Sequence, residues 1–149
     1  EVFDKIMEIL LTDNGSEFIN PNKFTELSDN CHIFYCHPNR SNEKGSVENI
    51  HEFIRRVIPK GISLNVYNQE DINLICNNTN SLYRKSLDGK CAFDLVEKYI
   101  PLDKLELLGF KKIEDYNVNL TPQLLGDKNI KNILKYLTKD MIKKANITI

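Results

Sequence analysis

Thr12-Asp13-Asn14-Gly15-Ser16-Glu17-Phe18 and Glu43-Lys44-Gly45-Ser46-Val47-Glu48-Asn49 carry most of the structural information in this chain. The first follows Ile6 to Thr12, an apolar run too short for an independent helix and rich in branched side chains, which predicts a buried strand ended by Asn14-Gly15. Strict alternation puts Asp13 on a face with Met7, Ile9 and Leu11, at the strand's C-terminal end, where α/β sheets favour ligand sites. The second opens a helix expected from about Val47 to Ile58, with Ser46 as its N-cap. Val47, Ile50, Ile54, Val57 and Ile58 form one apolar stripe of that helix, and Glu48, Glu52 and Arg55 recur on another face. Glu48 is therefore free to leave the core and turn towards Asp13, with 34 residues between them.

Between and beyond these motifs, Pro21 to Leu27 has the look of a short helix entered through Asn20, and His32 to Cys36 of a second short strand. His37 to Gly45 is a polar loop. Pro59-Lys60-Gly61 stops the helix that holds Glu48. A further helix is expected from about Gln69 to Tyr83, capped by Asn68, with Ile72, Ile75, Thr79, Leu82 and Tyr83 on its buried side. Arg84 to Lys90 is a basic loop, Ala92 to Tyr99 a short helix, and Leu102 to Leu125 a weakly patterned extension wrapping the domain. Lys128 to Lys144 is an amphipathic helix, with Ile130, Ile133, Leu134, Leu137, Met141 and Ile142 on one side and lysines opposite. It reads as a docking or solvated helix rather than a DNA reader.

A chain of 149 residues, 41% hydrophobic and 28% charged, is one ordinary globular domain in size and composition. No apolar run approaches bilayer length and no signal-peptide pattern opens the chain, so no membrane is expected and the placement is cytoplasmic. It opens on Glu1, as a piece of a longer protein would. A net charge of −1 gives no general case for nucleic-acid binding, which must come from local patches. Four scattered cysteines suggest reduced thiols rather than a disulfide scaffold. Cys31-His32 and Cys36-His37 invite a zinc reading, but their spacing is not that of a finger and a strand would point the two thiols to opposite faces.

Taken singly, neither acidic motif is decisive. Asp13-Asn14-Gly15 alone reads as a turn, and Glu48 alone as an acid complementing a helix N-terminus, with Glu43 and Glu52 competing for its place. Taken together and in order, they resemble the transposases of the bacterial insertion-sequence 30 family, members of the DDE transposase and integrase group. His37-Pro38, Ile54-Arg55-Arg56-Val57-Ile58-Pro59-Lys60-Gly61 and Asn80-Ser81-Leu82-Tyr83-Arg84-Lys85-Ser86-Leu87 extend the resemblance to about Val96.

The resemblance implies an α/β, ribonuclease-H-like integrase core fragment, a partial mixed sheet flanked by helices, over residues 1–100, with a helical C-terminal extension over 101–149. It implies that Asp13 and Glu48 match the second and third acids of a metal-binding triad, and that the first acid belongs to a strand preceding this chain. Mg²⁺ or Mn²⁺ would be the cofactor of the intact protein, because paired hard cations ~3.5–4 Å apart activate and stabilise phosphodiester oxygens and prefer carboxylate ligands. Asn14 and Glu17 would support the acids. Lys44, Arg55, Arg56, Lys60, Arg84 and Lys85 would contact DNA phosphates, with solvated surface charge as the plain alternative. The intact protein would be a homo-oligomer joining transposon ends to target DNA, and the present chain, holding two acids, would be inactive alone. The rival expectations are a non-catalytic DNA-binding or oligomerisation remnant and another ribonuclease-H-like nuclease.

Overall fold

The computed structural model describes residues 9–12, 15–18, 20, 22, 26, 31–37 and 45–144. It is an α/β structure that divides into two compact units, Glu1–Glu48 and Asn49–Ile149.

In the first unit, Ile9–Thr12 (β1) and His32–Tyr35 (β2) pair in parallel, with Ile9 opposite His32 and Thr12 opposite Tyr35. The backbone N–H of Cys36 donates to the Thr12 carbonyl at 2.8 Å, carrying the ladder one step further. A 3-10 turn at Ser16–Phe18 follows β1, and the Tyr35 hydroxyl donates to the Phe18 carbonyl at 2.7 Å. Both strands match expectation, but β1 is not buried. Ile9 is 65% exposed, Leu11 50% and their β2 neighbour Phe34 54%. Among the described residues, no second layer covers that face of the two paired strands. The opposite face behaves as a strand's should, since Thr12 is 3% exposed. Within the expected Pro21 to Leu27 helix, Asn22 is helical and the Glu26 N–H donates to its carbonyl at 2.9 Å; the remaining positions lie outside the described residues. Cys31 and Cys36 are buried thiols, His32 and His37 are exposed, and none of the four cysteines forms a disulfide, in keeping with the sequence.

Helix α1, Gly45–Val57, leads into the second unit, which continues with α2 (Gln69–Ser81), α3 (Ala92–Val96), α4 (Leu102–Leu107) and α5 (Gly126–Lys144). Of the described positions of this apolar stripe, Val57 at the end of α1 and Ile58 just after it are buried, where they meet Ile62, Ile75 and Leu125 in the main core, and Ile50 and Ile54 are half-buried. Gly61 takes φ +91°, so the chain reverses directly after Pro59. Asn68 caps α2 with a reciprocal box: its side chain accepts from the Asp71 N–H at 3.0 Å, and the Asp71 carboxylate accepts from the Asn68 N–H at 2.8 Å. Helix α2 ends at Ser81 rather than Tyr83, and Ile72 and Tyr83, expected to be buried, are exposed.

Polar side chains fill the buried side of α2 instead. The Asn77 amide donates to the Gly109 carbonyl at 3.1 Å and accepts from the Lys111 N–H at 3.1 Å. Asn78 donates to the Leu74 carbonyl at 2.9 Å and accepts from the Asn119 N–H at 2.8 Å, and the Ser81 hydroxyl accepts from the Ile113 N–H at 2.8 Å. A segment with little apolar periodicity is thus held by its own backbone, because irregular chain crossing a buried surface must find partners for its N–H and C=O groups. The expected wrapping by the 102–125 extension is realised this way. Leu105 and Phe110 pack with Cys91 and Phe93 in a second core, while Leu120, Leu124, Leu125 and Ile133 join the first.

Asp94 ties α3 to this extension. Its carboxylate accepts from the Lys112 ammonium at 2.6 Å and from the Cys91 N–H at 3.0 Å, which together hold its pKa down at about 2. A carboxylate whose pKa falls on folding stabilises the fold above its unfolded value of 3.8, and that contribution is lost as pH drops through about 2. Both side chains are partly solvated, so the expected contribution is roughly 1 kcal/mol after screening. Asp94→Asn should remove that much stability at pH 6 and little at pH 2, as read by urea unfolding at the two pH values.

Candidate functional site

Glu48 lies in the first turn of α1, where the partial positive charge of unpaired backbone N–H groups favours a carboxylate. It is exposed, and among the described residues no cation pairs with it. The helix begins at Gly45, so Ser46 belongs to its first turn and is not the N-cap. Lys44 lies outside the described residues.

Asp13 and Asn14 also lie outside them, between the last residue of β1 and Gly15, whose carbonyl accepts from the Phe18 N–H at 2.9 Å. Glu17 is placed by its backbone within the 3-10 turn. Among the described residues, no three His, Cys, Asp or Glu side chains gather as a cation site would require. A solvent-facing glutamate fits the chemistry of Mg²⁺ or Mn²⁺, which take carboxylate oxygen.

The basic residues of the second unit divide by what they touch. Arg55 pairs with Glu52 at 3.1 Å across one turn of α1, an exposed contact worth only ~0.3–0.5 kcal/mol. Arg56 and Arg84 both lie over the ring of Phe53, 5.0 and 5.3 Å from its centre. Arg84 also donates to the Thr79 carbonyl at 2.6 Å, near the C-terminal end of α2, where a cation offsets the helix dipole. Its Nε is buried with no acceptor, so this residue is tied into the fold rather than extended into solvent. Lys60 and Lys85 are exposed and, among the described residues, without carboxylate partners.

The structure thus joins Arg56 and Arg84 through Phe53, a residue with no claim to attention on sequence grounds. Only the i to i+3 spacing of Phe53 and Arg56 is legible along the chain.

No protein-family model matches the chain, and no solved structure matches it. Curated relatives do. The chain is 28% identical over 104 residues to the transposase for insertion sequence element IS1086 of Cupriavidus metallidurans, which covers 67% of this chain and 30% of that protein. It is 28% identical over 98 residues to the transposase InsI for insertion sequence element IS30A of Escherichia coli, covering 66% and 25%. It is 33% identical over 84 residues to the transposase for insertion sequence element IS4351 of Bacteroides fragilis, covering 55% and 25%. The resemblance to insertion-sequence 30 type transposases therefore holds. The chain spans no more than 30% of the length of these relatives.

Proposed function

We propose that this relative of insertion-sequence 30 type transposases is part of a DDE catalytic core, with residues 1–100 forming a ribonuclease-H-like portion and 101–149 an extension. The observation that carries the reading is Glu48, an exposed carboxylate at the start of α1 with no cation paired to it among the described residues, inside one of the motifs on which the resemblance rests. Asp13, placed by sequence directly after the strand residue Thr12, is its proposed partner. Asp13 and Glu48 would hold Mg²⁺ or Mn²⁺, which when bound supplies a Lewis acid for phosphodiester cleavage and strand transfer. Asn14 and Glu17 would orient the Asp13 segment. Lys44, Arg55, Arg56, Lys60 and Lys85 would neutralise phosphates of transposon-end and target DNA, with Arg84 acting chiefly by anchoring Phe53 beside Arg56.

Two carboxylates leave a cation pair short of ligands, so the chain alone should not join DNA strands. Incubating the purified 149-residue protein with Mn²⁺ and element-end duplex should give no strand-transfer product, while duplex binding weakens steeply with salt. Robust turnover would contradict the two-acid assignment, and the absence of any duplex binding would contradict the DNA reading. A homo-oligomeric assembly has its own support in α5, where Leu134, Leu137 and Met141 form an exposed apolar line. Among the described residues, no helix is long and apolar enough to cross a membrane.

A further inference from the structure

Between the connector after α1 and the middle of α5 lies a cleft of about 310 Å³. Gly61 and Ser63 line it from the connector, and Asn132, Lys135, Tyr136 and Lys139 from the helix; among the described residues no carboxylate contributes to its wall. Its sides are fixed to one another. The Asn132 amide donates to the Ser63 carbonyl at 2.9 Å and to the Tyr67 hydroxyl at 3.1 Å. The Tyr136 ring closes on Gly61 so tightly that a Cβ there would stand 2.6 Å from the Tyr136 hydroxyl oxygen.

Among the described residues, no carboxylate compensates the charge in this cleft. Lys112, Lys128 and Lys144 are paired with Asp94, Asp71 and Asp140, whereas Lys135 and Lys139 have no carboxylate partner among the described residues. Asp140, the acid next to them in sequence, is taken by Lys144 at 2.8 Å. Like charges at i and i+4 on a helix repel, a cost that an anion between them reverses. The volume exceeds what a lone phosphate would fill and lies at the lower end of small-molecule sites.

We infer that this cleft binds a phosphate ester, with Lys135 and Lys139 as its cationic contacts and the partly exposed Tyr136 ring as a flat wall beside them. The phosphate is either a backbone phosphodiester of nucleic acid or that of a free nucleotide. Neither source depends on Asp13 or Glu48, so the inference can fail or hold without touching the two-acid assignment.

Amide NMR of the ¹⁵N-labelled chain tests it, with deoxyadenosine monophosphate and a short DNA duplex as separate probes. Saturable shifts at Gly61, Ser63, Lys135 and Lys139 with both probes, the duplex displacing the nucleotide, assign the site to nucleic acid. Shifts with the nucleotide alone assign it to a free nucleotide. The double substitution Lys135→Gln, Lys139→Gln should weaken binding at least tenfold, whereas Lys98→Gln, a charge loss at an exposed position elsewhere, should leave it unchanged. If duplex is the ligand, the slope of log affinity against log salt should fall by about 1.8 in the double variant, close to 0.9 per lost phosphate contact. No movement of the cleft amides with either probe, or full affinity in the double variant, overturns the inference. The lysines take no part in the hydrogen bonds joining the cleft walls, so an otherwise unchanged spectrum verifies that the variant is folded.

Discussion

Asn129→Ala should cost roughly 3–5 kcal/mol of stability, the largest effect expected of any single polar substitution in the second unit. Asn129 is fully buried on α5, and both ends of its amide are engaged. Its amide nitrogen donates to the Val57 carbonyl at 3.0 Å and to the Pro122 carbonyl at 2.7 Å, and its oxygen accepts from the Tyr67 hydroxyl at 2.5 Å. One side chain thus joins the end of α1, the connector to α2 and the turn before α5. Truncation leaves two backbone carbonyls and a phenol without this partner, each costing ~1–3 kcal/mol when it cannot reach water.

Asn129→Asp should be no better. It keeps the acceptor for Tyr67 but places a carboxylate against two carbonyl oxygens. Tyr67→Phe removes the phenol's bond to Asn129 and should cost ~1 kcal/mol. Urea unfolding followed by circular dichroism gives all three, with Lys131→Ala, an exposed neighbour on α5, expected within about 0.5 kcal/mol of the parent. A loss below about 1 kcal/mol for Asn129→Ala would show that the three segments are not joined at this residue.

The second large effect concerns metal. Asp13→Asn and Glu48→Gln should each lower Mn²⁺ affinity at least tenfold by calorimetry, since an amide oxygen keeps the shape of a carboxylate but not its charge. The double variant should bind scarcely more weakly than either single one, because removing one ligand already dissolves a shared site. Independent, additive losses would mean two separate carboxylates, each holding its cation weakly at the surface.

What the sequence discloses follows from which forces are local. The Asn68 cap, the Pro59 to Gly61 stop and the placing of Glu48 in a helical first turn depend on neighbouring residues, and the structure agrees with each. The expected Ser46 cap falls one step inside the helix, which begins at Gly45, because local cues at a helix start fix its first residue to no better than one or two positions. Burial is less legible. Asn77, Asn78 and Asn129 do not stand out as core residues because asparagine belongs outside by composition; it enters only when distant carbonyls and N–H groups need partners, and chain order does not reveal those.

The converse holds on α5. Leu134, Leu137 and Met141 have the spacing of a core stripe yet are exposed, whereas Asn129 is buried and Ile130 and Ile133 are half-buried in the first half of the helix. Within the extension, α4 and the 3-10 turns Asp115–Asn117 and Pro122–Leu125 are too short for an apolar period to be seen. Of the candidate site, the motifs single out Asp13 and Glu48 as a pair, but a shared cation is a matter of distance that spacing along a chain cannot supply.

That distance is what paramagnetic Mn²⁺ reads. Titrating substoichiometric Mn²⁺ into the ¹⁵N-labelled chain should broaden the amide signals of Asp13, Asn14 and Glu48 together and at the same metal concentration, with Glu48→Gln abolishing the broadening at Asp13 as well as at its own position. Broadening around Glu48 that leaves Asp13 sharp, or that survives at Asp13 in the Glu48→Gln variant, would contradict a shared site.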